Sequence, residues 1–505
     1  MAGFVLVGLG LAMLLFFVTL LGPILVTQSA TMFNVVVDTT ILTLFFFLFC
    51  TIYNITMLSI VFVHDRRRLK EEKEASDHSF SIMIPARNEE LVIHKTLTSI
   101  LALDYPKSLL EVLLIDDGSS DRTVEIATKL REEFDNLDIL RIPKEESGRG
   151  KSEALNRGFR YLINKHGNPS DEWIVGVFDA DGLPQSDMLK KTAYQFKKSK
   201  VGATQSLVRM TNRRDFFLAL LQDVEFSTFA RVSQFVRSIF KGAVALGGNG
   251  QFIRTSALAS ISIGGNWWRN DSLTEDLDIG TRLLLKGWEN EFLITTTVNQ
   301  QAVDSFGALY KQRTRWAWGT LQALRTYVLS GSVFKARVPL IKKIDLIYYL
   351  SFIVIPPVML FCWVISALSL VAVFSTYNPF PTYFMITNGV SFFPLIAYGL
   401  MRTHKEDANK DRSCTHCSRE LLKDSKYCDR CGTPFKIPRY IAHPVLFFIP
   451  LIIITTAYTY HWVPCTIRAI IHVLKRDVPH WTKTERIIAN VEPQVVPAIR
   501  SGSLP

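Results

Sequence analysis

The sequence predicts an α/β domain carried between α-helical membrane segments, and three features of the 505-residue chain lead to that class. Apolar and charged residues are segregated: 48% of the chain is hydrophobic and 20% charged, yet no Lys, Arg, Asp or Glu occurs within 1–37, 346–401 or 441–467. Between the apolar blocks, short apolar runs alternate with amphipathic helical patterns, the signature of a mainly parallel sheet. Carboxylates gather where those apolar runs end. A mean hydropathy of +0.18 with this segregation excludes a disordered chain, a small disulfide scaffold and an ordinary soluble enzyme.

The apolar blocks are matched in length to the roughly 20 residues that cross a hydrocarbon core. Residues 4–26 and 40–63 give two spans, and the first has neither the basic n-region nor the brevity of a signal peptide. Residues 351–374 and 383–400 give two more, and 443–467 the last. Four basic residues within 64–70 follow the second span, so the next segment is expected on the cytosolic side. Arg468, Lys475 and Arg476 also favour the inside. The final segment is therefore expected to be re-entrant, broken at Pro450 or hairpin-like. The chain divides into two membrane helices (1–63), a cytosolic α/β domain (64–320) and interfacial amphipathic helices (321–345). Two further membrane helices (346–402), a cysteine-rich insert (403–439), a C-terminal membrane segment (440–476) and a cytosolic tail (477–505) complete it. A multi-pass protein of the plasma or inner membrane is the expected setting.

Within the cytosolic segment, residues 80–85, 112–115, 139–142 and 173–178 read as buried strands. Residues 89–101, 121–133, 151–165 and 186–198 read as the helices between them. Ligands of such sheets bind beyond the carboxyl ends of the strands. There the sequence places Asp116 and Asp117 after one apolar run, and Asp179 and Asp181 after another. Carboxylates at i and i+2 in a tight turn converge on a hard cation, and Mg²⁺ or Mn²⁺ is held by one or two carboxylates plus substrate phosphates. Asp121 reads as a helix-start Asx-turn.

Thr274, Glu275 and Asp276 open a further helix, with Thr274 as the expected N-cap and acidic residues favoured by the helix dipole. The same position allows a carboxylate general base held on a rigid element. Residues 312–318 mix Arg and Trp, as expected of a helix at headgroup level. Nucleic-acid binding is disfavoured, because the net charge of +11 concentrates near the spans and aromatic residues are not interleaved with basic ones elsewhere.

Taken in order, Pro85–Glu89, Asp116–Gly118, Gly150–Asn156, Asp179–Asp181, Gly247–Gly250, Thr274–Asp276, Gln312–Trp316 and Trp481–Thr484 resemble the motifs of membrane-integrated, processive family 2 glycosyltransferases. That group contains cellulose, chitin, hyaluronan and poly-N-acetylglucosamine synthases. The resemblance covers about 80–325 and the layout of the flanking spans. It implies a Rossmann-like GT-A fold in which Ala86, Glu89, Asp116 and Asp117 line the uridine pocket and Lys151 meets the diphosphate. Asp179 and Asp181 would form the Asp-x-Asp motif with Mg²⁺ or Mn²⁺, Asp276 would be the general base, and Gln312, Arg315 and Trp316 the Gln-x-x-Arg-Trp motif.

Gly248, Asn249, Glu275 and Trp316 would face the acceptor. Trp481, Lys483, Thr484 and Arg486 would form a gating tail. The implied reaction is inverting transfer from a UDP-sugar, with UDP-glucose first and UDP-N-acetylglucosamine second, to a growing β-glucan that leaves through the enzyme's own channel. A lipid glycosyltransferase of the ceramide glucosyltransferase type, adding one sugar, is the alternative.

Cys414, Cys417, Cys428 and Cys431 form two Cys-x-x-Cys pairs ten residues apart, the ligand spacing of a zinc ribbon. Four thiolates would fill a tetrahedral Zn²⁺ and leave no open position for chemistry. A redox pair is the other option. The insert would dock a partner protein or clamp two spans together.

Overall fold

The structure is a computed structural model. It describes residues 52–63, 74–213, 215–358, 360–361, 395–403 and 444–477. The span at 4–26, the four-cysteine insert and the proposed gating residues Trp481, Lys483, Thr484 and Arg486 lie outside these residues.

An eight-stranded sheet forms the frame, comprising β1 (Ser79–Ala86), β2 (Leu110–Asp116), β3 (Leu137–Arg141), β4 (Trp173–Val177), β5 (Leu183–Pro184), β6 (Val201–Met210), β7 (Gln251–Arg254) and β8 (Glu289–Gln300). Its spatial order is β3-β2-β1-β4-β7-β6-β8-β5. The first four strands in this order are parallel, as expected. The whole sheet is mixed but mainly parallel: β6 pairs with β8 in parallel, whereas β7 runs antiparallel to both β4 and β6, and β5 antiparallel to β8. The turn at 247–250 sends the chain back between β4 and β6, so β7 meets two neighbours running the other way.

Helices α1 (Ile93–Leu101), α2 (Thr123–Glu133), α3 (Lys151–His166) and α4 (Met188–Phe196) cover the parallel half. Alternation along β1 sorts its side chains: Phe80, Ile82 and Ile84 pack with Ile93 and Leu97 of α1 and with Leu189 of α4. Met83 faces the other way, with Leu155 and Phe159 of α3. Because both faces are covered, the strand is mainly apolar, interrupted only by Ser79 and Ser81, as in parallel sheets generally. Asp121 makes the expected Asx-turn, its Oδ1 accepting from Thr123 N at 3.0 Å.

The chain continues through α5 (Phe217–Thr228), α6 (Phe235–Phe240), α7 (Thr255–Ser260), α8 (Glu275–Lys286), α9 (Phe306–Ala323), α10 (Ser332–Lys335) and α11 (Leu340–Ser351). The described helix at 52–63 packs Tyr53, Met57 and Val61 against Val232, Phe235 and Val236, and leaves Ile52, Ile55, Phe62 and Val63 exposed.

The last apolar block is two helices, α12 (Pro444–Thr459) and α13 (Trp462–Lys475). The expected break at Pro450 is therefore corrected: Pro450 lies inside α12, and the chain turns at Tyr460–His461. The residue that marks the break is Pro464, tolerated in the first turn of α13 because amides there have no intrahelical acceptor. Ile449, Ile453, Ile454, Ile467, Ile471 and Leu474 are exposed on this pair. Among the described residues no helix is long and apolar enough to cross a membrane.

Candidate active site

The strand ends bring the motifs together. Ala86 stands directly opposite Asp116 in the β1–β2 register, so the loops after both strands open on one edge. Asp116 is 2% exposed and its Oδ1 accepts from Ser119 N at 3.0 Å, which closes the carboxylate on its own turn. Asp117 faces outward to the cavity, with Oδ1 accepting from Gly148 N at 2.8 Å. Burial raises the Asp117 carboxyl above its ordinary range despite that hydrogen bond.

Lys151 is the centre of the site. As the first residue of α3 it projects Nζ to Asp179 Oδ1 at 2.5 Å and to the Gly248 carbonyl at 3.3 Å, and lies 3.6 Å from Glu275 Oε1. Burial alone would lower its pKa, but the surrounding Asp179, Glu275 and Asp276 outweigh it and hold the ammonium protonated.

Gly248 sits at φ +73°, and a methyl group there would lie 2.9 Å from Asp276 Oδ2 and 3.2 Å from Lys151 Nζ. Only a glycine lets this loop pass so close to both groups. Asp276, in the first turn of α8, has its pKa pushed up to about 7, first by burial and then by the adjacent Glu275 charge. A carboxylate titrating near neutrality suits a general base.

Asp181 is turned inward at 8% exposure, with Oδ2 accepting from Gln301 N at 3.1 Å. Asn249 Oδ1 accepts from Asp179 N at 3.3 Å and its Nδ2 donates to Gln300 Oε1 at 2.8 Å. Gln205 then fixes the whole turn, accepting from Gly247 N at 2.7 Å and donating to the Asn249 carbonyl at 2.8 Å. The loop after β4 and the turn before β7 are thus one hydrogen-bonded unit. Among the described residues no cluster of three or more His, Cys, Asp and Glu forms a ready-made metal cage. Two carboxylates beside a lysine and a cavity are instead a donor set suited to a hard cation shared with phosphate oxygens.

The opposite wall is α9, capped by Ser305 Oγ accepting from Ala308 N. Gln312, Arg315 and Trp316, spaced i, i+3 and i+4, share the face that lines the cavity. Thr274 occupies the N-cap position of α8, but its hydroxyl makes no cap hydrogen bond, contrary to expectation. It packs instead on Gly319 of α9, where a methyl group would lie 2.5 Å from Thr274 Cγ2, so the close α8–α9 approach displaces the cap.

The cavity that joins these parts is about 690 Å³. Ala86, Glu89, Asp117, Lys151, Asp179, Asp181, Glu275, Asp276, Gln312, Arg315 and Trp316 line it. Asp116, Gly248 and Asn249 stand behind the wall. The same cavity is also lined by the aliphatic and aromatic Met57, Val232, Tyr348, Tyr349, Phe352, Ile353, Leu395 and Ile396, together with the polar Asn54, Gln234 and Arg237. Sequence reasoning missed this apolar lining, and it missed Glu225, Arg313 and Gln205. The signal for Glu225 was a pair of acidic residues, Asp223 and Glu225, inside the largely apolar α5.

The mixed sheet and the site define a GT-A-like glycosyltransferase domain, and residues 78–319 match the family model described as "Glycosyltransferase like family 2". That segment is a family 2 glycosyltransferase domain. The chain is similar to the Beta-monoglucosyldiacylglycerol synthase of Trichormus variabilis, with 37% identity over 277 residues, 55% of this chain and 56% of that protein. It is also similar to a Poly-beta-1,6-N-acetyl-D-glucosamine synthase of Staphylococcus epidermidis, with 27% identity over 305 residues, 58% of this chain and 69% of the relative. The chain thus spans little more than half the length of the first of these relatives. Among solved structures, a mannosyltransferase from Pyrobaculum calidifontis in complex with GDP-Man and Mn²⁺ aligns over 85% of this chain and 99% of that one, at 17% identity and a TM-score of 0.46.

Proposed function

We propose that this protein is an inverting glucosyltransferase that moves one glucosyl group from UDP-glucose to the hydroxyl of a diacylglycerol-like membrane lipid. The observation that carries the reading is the mixed lining of one cavity, in which the polar donor-side groups and Asp276 share a space with many apolar side chains. A lining that includes Met57, Val232, Ile353, Leu395 and Ile396 favours hydrocarbon. The 37% identity to a glucosyldiacylglycerol synthase supports the same acceptor. Exposed apolar side chains on 52–63 and 444–475 support a multi-pass location in the plasma or inner membrane.

In this reading Asp117, Glu89 and Ala86 border the nucleoside, while Lys151 and Arg315 bind the diphosphate, Arg315 with the planar fork suited to phosphate. Asp276 accepts the proton of the acceptor hydroxyl as its oxygen bonds to the anomeric carbon. The C–O bond to the diphosphate breaks with its electron pair leaving on phosphate oxygen, and Lys151 and Arg315 stabilise that charge. Asp179 and Asp181 are the residues that would hold Mg²⁺ or Mn²⁺, which when bound neutralises the departing diphosphate. No second carboxylic acid is needed to protonate the leaving group, unlike glycoside hydrolysis. Trp316 offers a flat face to the acceptor end.

Processive β-glucan synthesis through a membrane channel is the second reading, favoured by the rings of Trp316, Tyr348, Tyr349 and Trp462 along the wall, on which successive sugars would stack. Structural Zn²⁺ on Cys414, Cys417, Cys428 and Cys431, with a partner-docking or clamping role, is proposed on sequence spacing alone. Purified enzyme in detergent, given radiolabelled UDP-glucose, UDP-N-acetylglucosamine or GDP-mannose and diacylglycerol, tests the main reading. Label in the organic phase at one glucose per lipid supports it. Label only in a long aqueous polymer overturns it.

A further inference from the structure

Beside the acceptor face of α9 lies a buried charge cluster to which the reaction assigns no step, with Glu225 and Trp462 reaching the cavity wall. Arg313 is fully buried and donates through Nη2 to Glu225 Oε2 at 2.8 Å and through Nη1 to Gln312 Oε1 at 3.0 Å. Its guanidinium carbon lies 4.1 Å from the centroid of the Trp316 ring. Glu225, on α5, accepts two more hydrogen bonds, from Tyr458 Oη at 2.9 Å and Trp462 Nε1 at 2.8 Å. Burial alone would raise the Glu225 pKa, but Arg313, His461 and Trp462 outweigh it and keep the carboxyl ionised.

One carboxylate therefore collects a donor from α9, one from the end of α12 and one from the start of α13. The cation that it orients is the one lying over the acceptor-side ring. A buried ion pair is poor evidence of net stability against an apolar pair, so its consequence is sought in geometry.

We propose that Glu225 and Arg313 are positioning residues that set the Trp316 ring and Gln312 for the acceptor, and that they make this placement depend on the docking of residues 444–475. A guanidinium over an indole face restricts the ring's tilt, and Phe226, with its centroid 5.9 Å from that of Trp316 and 5.4 Å from the Arg313 guanidinium carbon, packs against both. Arg315, two residues on, points away from this cluster into the cavity, so the two arginines of the motif divide the work between acceptor wall and diphosphate. This inference rests on the reading that Trp316 meets the acceptor.

The test compares Glu225→Gln, Arg313→Gln, the double variant and Arg313→Lys, each in the full-length enzyme. The single Gln variants leave one uncompensated buried charge and lower Tm, and the double variant recovers much of that Tm. The acceptor KM is expected to stay raised roughly two- to thirty-fold in the double variant and in Arg313→Lys, because neither restores the planar cation over Trp316. The KM for UDP-glucose is expected to remain at the wild-type value.

Should the acceptor KM recover together with Tm, the pair is merely structural and the proposal fails. An equal rise in both KM values fails it as well. Trp462→Phe, which keeps the ring and removes one donor to Glu225, should raise the acceptor KM without moving the donor KM. No change there overturns the coupling to residues 444–475. The acceptor is diacylglycerol, or a short glucan primer if the wild type makes aqueous polymer. That wild-type result fails the lipid reading separately from this one.

Discussion

Replacing Asp276 by Asn removes the proposed base while keeping its size, and the structure sets what should follow. With a carboxyl pKa of about 7, the acceptor-side carboxylate is roughly one-tenth ionised at pH 6 and nine-tenths at pH 8. Wild-type kcat/KM should therefore rise about tenfold across that interval, since only the ionised form accepts a proton. In Asp276→Asn, kcat should fall by roughly 10²- to 10⁴-fold and the rise should vanish, with UDP affinity retained.

Stability should move the other way. The folded pKa lies above the ordinary value of 3.8, so the fold disfavours the ionised carboxylate. This cost is absent below about pH 4 and complete above about pH 7. Asp276→Asn should accordingly melt higher than wild type at pH 8, and the difference should close as the pH falls to 4. The assays are initial rates from pH 5.5 to 8.5 and thermal melts in chelator. A flat wild-type profile together with less than a tenfold loss in Asp276→Asn would refute the assignment.

Asp181→Ala should abolish the Mn²⁺-dependent part of UDP binding in calorimetry and leave binding in chelator unchanged. Gly248→Ala forces a side chain into a left-handed conformation, at about 1–2 kcal/mol, and presses on Asp276 Oδ2. Its Tm should drop by several degrees, and kcat by about 10²-fold as the base is displaced. The Cys414→Ser/Cys417→Ser variant should lose its zinc by elemental analysis, and unchanged zinc content would reject the ribbon.

The half of the sheet that sequence reading resolved is the half with ordinary chemistry. β1, β2 and β4 are covered on both faces and read as mainly apolar runs. β6 and β8 did not, because they bury polar side chains. Gln205 binds the 247–249 turn, Arg209 donates through Nε to Asp223 at 2.9 Å, and Glu291 meets Ser238 and Lys241. These pairings are long-range in sequence, so no local period announces them. The donor-side motifs were legible because each sits within a few residues of a strand end or helix start. The apolar part of the lining was not, since Met57, Val232, Tyr348 and Leu395 come from four separate segments that only packing assembles. Likewise, Gln312–Trp316 contains two arginines, and the helix alone does not say which is buried. The answer comes from Glu225 on another element.

The seating of Tyr458 and Trp462 on Glu225 has a consequence for biogenesis. Ribosomes deliver residues 444–475 more than a hundred residues after the last residue of α9 has emerged. A nascent chain can complete its sheet and bind nucleotide while the indole and phenol that secure Glu225 are still unmade. On the positioning role proposed for Glu225, full acceptor affinity then waits for late translation of residues 444–475.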